Sequence, residues 1–180
     1  MKLRRDQKNS TGKKWSYNVW AKPPPFVEEL AVSRETSIPL REGQVLLEAG
    51  VLAYRRNRGE LEILLVSKKR SKKWGIPKGR VEPHLNFSEL ASKEAFEEAG
   101  VVGYVSANSV GMFRARKQNA SGLSHQTIEV WVYLLEVTDT RSKWPEMHMR
   151  QTKWVSYKEA AQQLREPILA HLCYRLAQYG

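Results

Sequence analysis

The chain has 180 residues, 41% of them hydrophobic, and carries 30 Lys and Arg against 19 Asp and Glu for a formal charge of +11. That length holds one domain with some chain to spare, and a domain of roughly 150 residues buries about 70% of its unfolded surface without covalent staples. The single cysteine, Cys173, excludes an internal disulfide and a cysteine-based metal site, and its apolar setting, HLCYRLAQ, predicts a packed thiol.

Residues 1–43 read as a basic, proline-containing N-terminal arm, semi-rigid across Pro23–Pro25, with little periodicity and little regular structure. MKLRRDQKNS lacks the apolar core of a secretory signal, and no apolar run reaches the ~18 residues that span a membrane. A cytoplasmic chain without a membrane partner is the expectation. From residue 44 to 180 the pattern is that of a folded domain. QVLLEAGVLAYRR predicts one or two strands with a bend near Gly50, RNRG at 56–59 a turn, and ELEILLVS at 60–67 the returning strand of a hairpin. The segment 67–83 is a basic loop broken by Gly and Pro, with a short strand around Trp74–Pro77. Asn86, followed three residues later by Glu89, has the form of a capping box, and Gly100 supplies the stop of the helix between them. Strands are expected near 103–115, 126–138 and 150–156, then two helices divided by Pro167. Strands with few helices and long connections predict a layered α/β domain.

Within that helix, KEAFEEAGV gathers Glu94, Glu97 and Glu98 on one arc of roughly 100°. Like charges at i,i+4 destabilise by about 0.2–0.5 kcal/mol. Acids in the last turn meet the negative helix end at a further ~0.3–1 kcal/mol each. A solvated acidic face is the plain alternative for an isolated ExxEE. A hard divalent cation removes the conflict, since Mg2+ and Mn2+ take carboxylate oxygens and keep water and phosphate as their other ligands. Residues 55–80 add ten Lys or Arg against Glu60 and Glu62. An acidic site behind a basic rim suits a metal-bound polyphosphate.

These residues resemble a Nudix box, whose pattern is Gly, five residues, Glu, seven residues, then Arg-Glu-aliphatic-x-Glu-Glu-x-Gly-aliphatic. Gly79 opens it and residues 93–101 close it at the right distance, with Leu85 in place of the first Glu and Lys93 in place of the Arg. In the family those two side chains support each other, and the i,i+4 pair Glu89–Lys93 is a substitute. Beyond the box, LLVSKKRSKKWGIPKGRVEP, GMFRAR and MRQTKWVSYKEAAQQL are similar to the diphosphoinositol and diadenosine polyphosphate phosphohydrolase branch, over about 44–166. The resemblance implies a Nudix-type α/β/α sandwich around a mixed β-sheet and a hydrolase that cleaves phosphoanhydrides with Mg2+, or Mn2+ in its place. It implies Glu94 and Glu98 as metal ligands, helped by a backbone carbonyl near Lys78–Gly79, and Glu97 as the base that activates water. Lys68, Lys69, Arg70, Lys78 and Arg150 become phosphate contacts, and the partner a polyphosphorylated small molecule.

Trp74 and Trp154 read as core residues before stacking platforms, and Glu129 as a solvent-facing strand residue before an auxiliary acid. His84, His125, His148 and His171 lack metal spacing. Two further functions fit the sequence. The +11 charge suits removal of pyrophosphate from an RNA 5′ end, although Lys78 stands where RNA-processing relatives tend to carry Gln. Leu85 and Lys93 suit a non-catalytic phosphate- or nucleic-acid-binding module.

Overall fold

A computed structural model describes residues 2–8, 14–20, 45–67, 73–118 and 125–179, and the side chains of 45–67, 73–116 and 126–179. Its strands are β1 (Lys2–Lys8), β2 (Lys14–Trp20), β3 (Val45–Asn57), β4 (Glu60–Ser67), β5 (Trp74–Gly75), β6 (Lys78–Arg80), β7 (Val101–Val105), β8 (Gly111–Gln118), β9 (His125–Thr140) and β10 (Thr152–Ser156). Its helices are α1 (Phe87–Ala99), α2 (Tyr157–Gln163) and α3 (Pro167–Gln178).

All ten strands join one sheet, ordered β1-β2-β7-β9-β3-β4-β10, with β5 on β4, β6 on β3 and β8 on β9. The sheet is mixed: β3 runs parallel to β9 and β2 parallel to β7, while the other pairs are antiparallel. Alternation along β3 sends Ala49, Val51 and Ala53 to one face and Leu52 and Tyr54 to the other. The first face packs on Leu90, Ala91, Ala95 and Ala99 of α1. The second packs on α2 and α3 through Ala160, Leu169, Leu172, Cys173 and Leu176. The result is the predicted α/β/α sandwich. Cys173 is a buried free thiol, which burial pushes up to about 12. No helix among the described residues is long and apolar enough to cross a membrane.

Three elements differ from the sequence reading. Part of the segment read as an arm is regular, because β1 and β2 pair antiparallel and β2 joins β7; residues 21–44 lie outside the described residues. The single strand expected near 103–115 is two, β7 and β8. Ser106 breaks the ladder by accepting from Leu134 N at 3.1 Å and donating to Asn108 O at 2.8 Å. The short strand near Trp74–Pro77 splits into β5 and β6 around Ile76–Pro77. Pro77 has no N–H to give, and its carbonyl accepts from Val51 N at 3.0 Å.

Candidate active site

The site is built on α1. Asn86 caps it by accepting from Glu89 N at 2.9 Å, and Glu89 returns the bond to Asn86 N at 2.9 Å, completing the capping box. Gly100 ends it in the left-handed region at φ 69°. The connection after β9 then closes over that end. Arg141 N donates to Gly100 O at 2.8 Å, Glu146 N donates to Glu97 O at 2.9 Å, and the Trp144 ring lies where a Cβ on Gly100 would sit, 2.6 Å away. This connection carries Glu146 and Arg150 to the acids of α1.

Glu98 is 3% exposed. Its Oε1 pairs with the Arg150 guanidinium, and its Oε2 is buried without a hydrogen-bond partner. Arg150 also donates to Glu146 at 2.6 Å and to Ser67 O at 3.1 Å. Glu94 lies against β6 so closely that a Cβ on Gly79 would fall 2.1 Å from its Oε1. Burial lifts the Glu94 carboxyl to about 7; Lys93 opposes this while Glu97, Glu146 and Glu82 add to it. Burial lifts Glu98 to about 8, with Arg150 opposing and Glu94 and Glu146 adding. A half-buried carboxylate, Glu94, and a buried one, Glu98, whose proton affinity Glu94 raises, with one oxygen of Glu98 orphaned, match the donor set of a hard divalent cation that keeps water and phosphate as further ligands. Among the described residues no group of three acid, imidazole or thiol side chains is placed to hold a metal ion.

Glu97 turns a different way. Its Oε2 accepts from Lys93 Nζ at 3.0 Å, and the same ammonium reaches Glu82 Oε1 at 2.8 Å. Burial works against the charge on Lys93, and these two bonds outweigh it, so the ammonium is held above its ordinary range. The support expected from Glu89 takes another form: Glu89 Oε2 is committed to the cap, and the acids that hold Lys93 here are Glu82 and Glu97. Leu85, at the acid position of the pattern, packs on the α1-side core.

The structure therefore brings Glu94, Glu98, Gly79 and Arg150 together and sets Glu97 beside them on Lys93. Lys78 is tied to the buried Glu48 on the adjoining strand. Lys68, Lys69 and Arg70 lie outside the described residues. Glu129 is not solvent-facing; it is buried and accepts from Arg114 Nε at 3.2 Å and Trp131 Nε1 at 3.1 Å. Trp74 and Trp154 pack against the two cores, each with a cation over its ring, Lys153 at 4.5 Å and Arg55 at 4.1 Å. Sequence reasoning missed Glu48, Glu82, Glu146 and Trp144. Only the Glu146–Arg150 pair carried a signal, its i,i+4 spacing.

A mixed-sheet α/β/α sandwich whose helix lays a glutamate on a glycine of the neighbouring strand, with a second, buried glutamate one turn on, defines the Nudix class of fold. The NUDIX domain family model matches residues 46–174, and the chain belongs to that family. It is 32% identical over 108 residues to Nudix hydrolase 12, mitochondrial, of Arabidopsis thaliana, covering 59% of this chain and 53% of that protein. The chain thus spans about half the length of that plant relative. It is 31% identical over 137 residues to diphosphoinositol polyphosphate phosphohydrolase 3-beta of Bos taurus, covering 73% of this chain and 78% of that one. The C. elegans Ap4A hydrolase crystal structure matches with a TM-score of 0.53 at 22% identity, over 75% of this chain and 98% of that chain, a likeness of fold.

Proposed function

We propose that the chain is a Mg2+-dependent hydrolase of phosphoanhydride bonds in dinucleoside polyphosphates or diphosphoinositol polyphosphates. The observation that carries this reading is the Glu94–Glu98 pair: Glu94, half-buried, lies against Gly79, and Glu98, buried, has its Oε2 left without a protein partner. Two named relatives support the substrate class: one is a diphosphoinositol polyphosphate phosphohydrolase in sequence, the other an Ap4A hydrolase in fold.

In this reading Glu94, Glu98 and a backbone carbonyl near Lys78–Gly79 hold Mg2+, or Mn2+ in its place. When bound, the ion supplies a polarised phosphate oxygen and an acidified water. The protein supplies the rest. Glu97, held at one oxygen by Lys93, keeps its other oxygen for the proton of the attacking water. That water's oxygen bonds to one phosphorus, the anhydride P–O bond breaks, and the departing phosphate leaves with the electron pair. Lys68, Lys69 and Arg70 offset its charge, and Lys78 adds what its ion pair with Glu48 leaves. Arg150, anchored on three partners, belongs to the carboxylate side and meets phosphate only at the edge of the site.

The test is turnover, with Mg2+, of a panel of diadenosine polyphosphates, inositol pyrophosphates, nucleoside triphosphates and 5′-triphosphate RNA, repeated with Glu98→Gln. Hydrolysis of the first two that disappears in the variant is the expected outcome. Preferential RNA turnover selects the RNA 5′ reading instead. Tight, salt-sensitive binding without turnover selects a non-catalytic module.

A further inference from the structure

We infer that Glu82 is a positioning residue for hydrolysis, acting through Lys93 on Glu97. The inference rests on the proposed role of Glu97 and adds a residue that neither the motif nor its spacing singles out.

Lys93 has a side chain only 9% exposed, and its ammonium sits between two carboxylates, Glu82 at 2.8 Å and Glu97 at 3.0 Å. Local helix stability does not account for the arrangement. A Lys placed four residues before a Glu is the weaker orientation of an i,i+4 pair, and the last turn of α1 contains no basic residue to offset its acids. What the contact does is mechanical. Glu82 lies in the turn before α1, closed by Leu85 N donating to Glu82 O at 3.2 Å. Its neighbour Val81 donates to Leu47 O on β3 at 3.0 Å. The backbone at Glu82 is therefore held one residue from the sheet, with its side chain 43% exposed, on the segment that continues directly from Lys78 and Gly79 of β6. Lys93 links that segment to Glu97 and sets the distance between the base and the strand on which the phosphates are placed.

The sharing of one ammonium by two acids also divides its charge. With Glu82 removed, Lys93 has Glu97 as its remaining hydrogen-bonded acid, and it is free to draw that carboxylate from the attacking water. The acid missing from the motif at Leu85 is thus supplied three residues earlier in the chain, and Leu85 is released to pack on the core.

The experiment compares the full chain with Glu82→Gln, Glu82→Asp, Lys93→Met and the double variant E82Q/K93M, using Mg2+ and a diadenosine polyphosphate. Glu82→Gln lowers kcat roughly tenfold or more, as expected for a misplaced base, with KM within about twofold. Glu82→Asp, which keeps the charge, recovers most of the loss. The double variant is no slower than Lys93→Met alone, as two residues in one chain of contacts require. Mn2+ affinity, read by electron paramagnetic resonance without substrate, falls by less than about threefold in Glu82→Gln, because Glu82 makes its hydrogen bond to Lys93 and reaches Glu94 only as the last and least of the charges that raise it. Wild-type kcat in Glu82→Gln, additive losses in the double variant, or a parallel fall in Mn2+ affinity and melting temperature overturns the inference. If the unmodified chain hydrolyses nothing, the functional reading fails separately. A crystal structure of Glu82→Gln then tests the positioning alone: an unmoved Glu97 carboxylate refutes it.

Discussion

At the scale of single residues, the site turns on what is missing as much as on what is present. Gly79 has no side chain, and Glu94 uses the space: a Cβ there would lie 2.1 Å from one carboxylate oxygen and 2.7 Å from the other. Gly79→Ala drives Glu94 off β6. The expected outcome is at least a tenfold weaker Mn2+ affinity by isothermal titration, about 1.4 kcal/mol, with catalysis lost in proportion and the fold retained by circular dichroism. Gly79, Glu94 and Glu98 were legible in the sequence, because a fixed spacing and an acidic arc on a helix with a clear cap are local facts. Glu48 and Glu82 were not. Each binds a lysine 30 or 11 residues away, and such pairings follow from sheet register and turn geometry that no local pattern encodes.

Among the elements, α1 and the connection 141–150 behave as one unit. The helix was legible at both ends: its capping box and its left-handed glycine stand where the sequence put them. The connection was not, since WPEMHMR has neither helical nor strand period. Yet it brings Arg150, the countercharge of the buried Glu98. That balance predicts a pH dependence. Without a divalent ion, Glu94 and Glu98 titrate at about 7 and about 8 in the fold, against 4.5 for an ordinary glutamate. Between pH 4.5 and 8 the folded chain therefore holds more protons than the unfolded one, and stability falls as pH rises through that window. A divalent ion displaces those protons. Scanning calorimetry with EDTA is expected to give a lower melting temperature at pH 8 than at pH 6, and Mg2+ or Mn2+ to restore more at pH 8 than at pH 6.

For the whole molecule, the sheet separates two jobs. One face carries α1 and its acids; the other is covered by α2 and α3 around Leu172, 1% exposed, and Cys173. Leu172→Ala is expected to cost about 2–5 kcal/mol in denaturant unfolding while Mn2+ affinity is unchanged, since the cavity opens on the face away from the acids. The sandwich was legible from composition and strand spacing. The strands at 2–8 and 14–20 were not, because parallel pairing with β7 is a long-range match that a basic, weakly periodic segment does not announce. Charge was the least informative global signal. Lys78, Lys93, Arg114 and Arg150 each pair with a nearby acid, so the count of thirty Lys and Arg overstates how many are free to meet a polyanion.

The Trp144 ring seated over Gly100 has a consequence for biosynthesis. As the chain leaves the ribosome, the acidic stretch of α1 emerges some fifty residues before its arginine. Until residue 150 is out, the nascent helix carries Glu98 with no guanidinium to pair with it. The indole is seated on its glycine only once that connection is complete, and a translation product truncated before residue 150 carries the acidic motif intact in sequence without the arginine that pairs with Glu98.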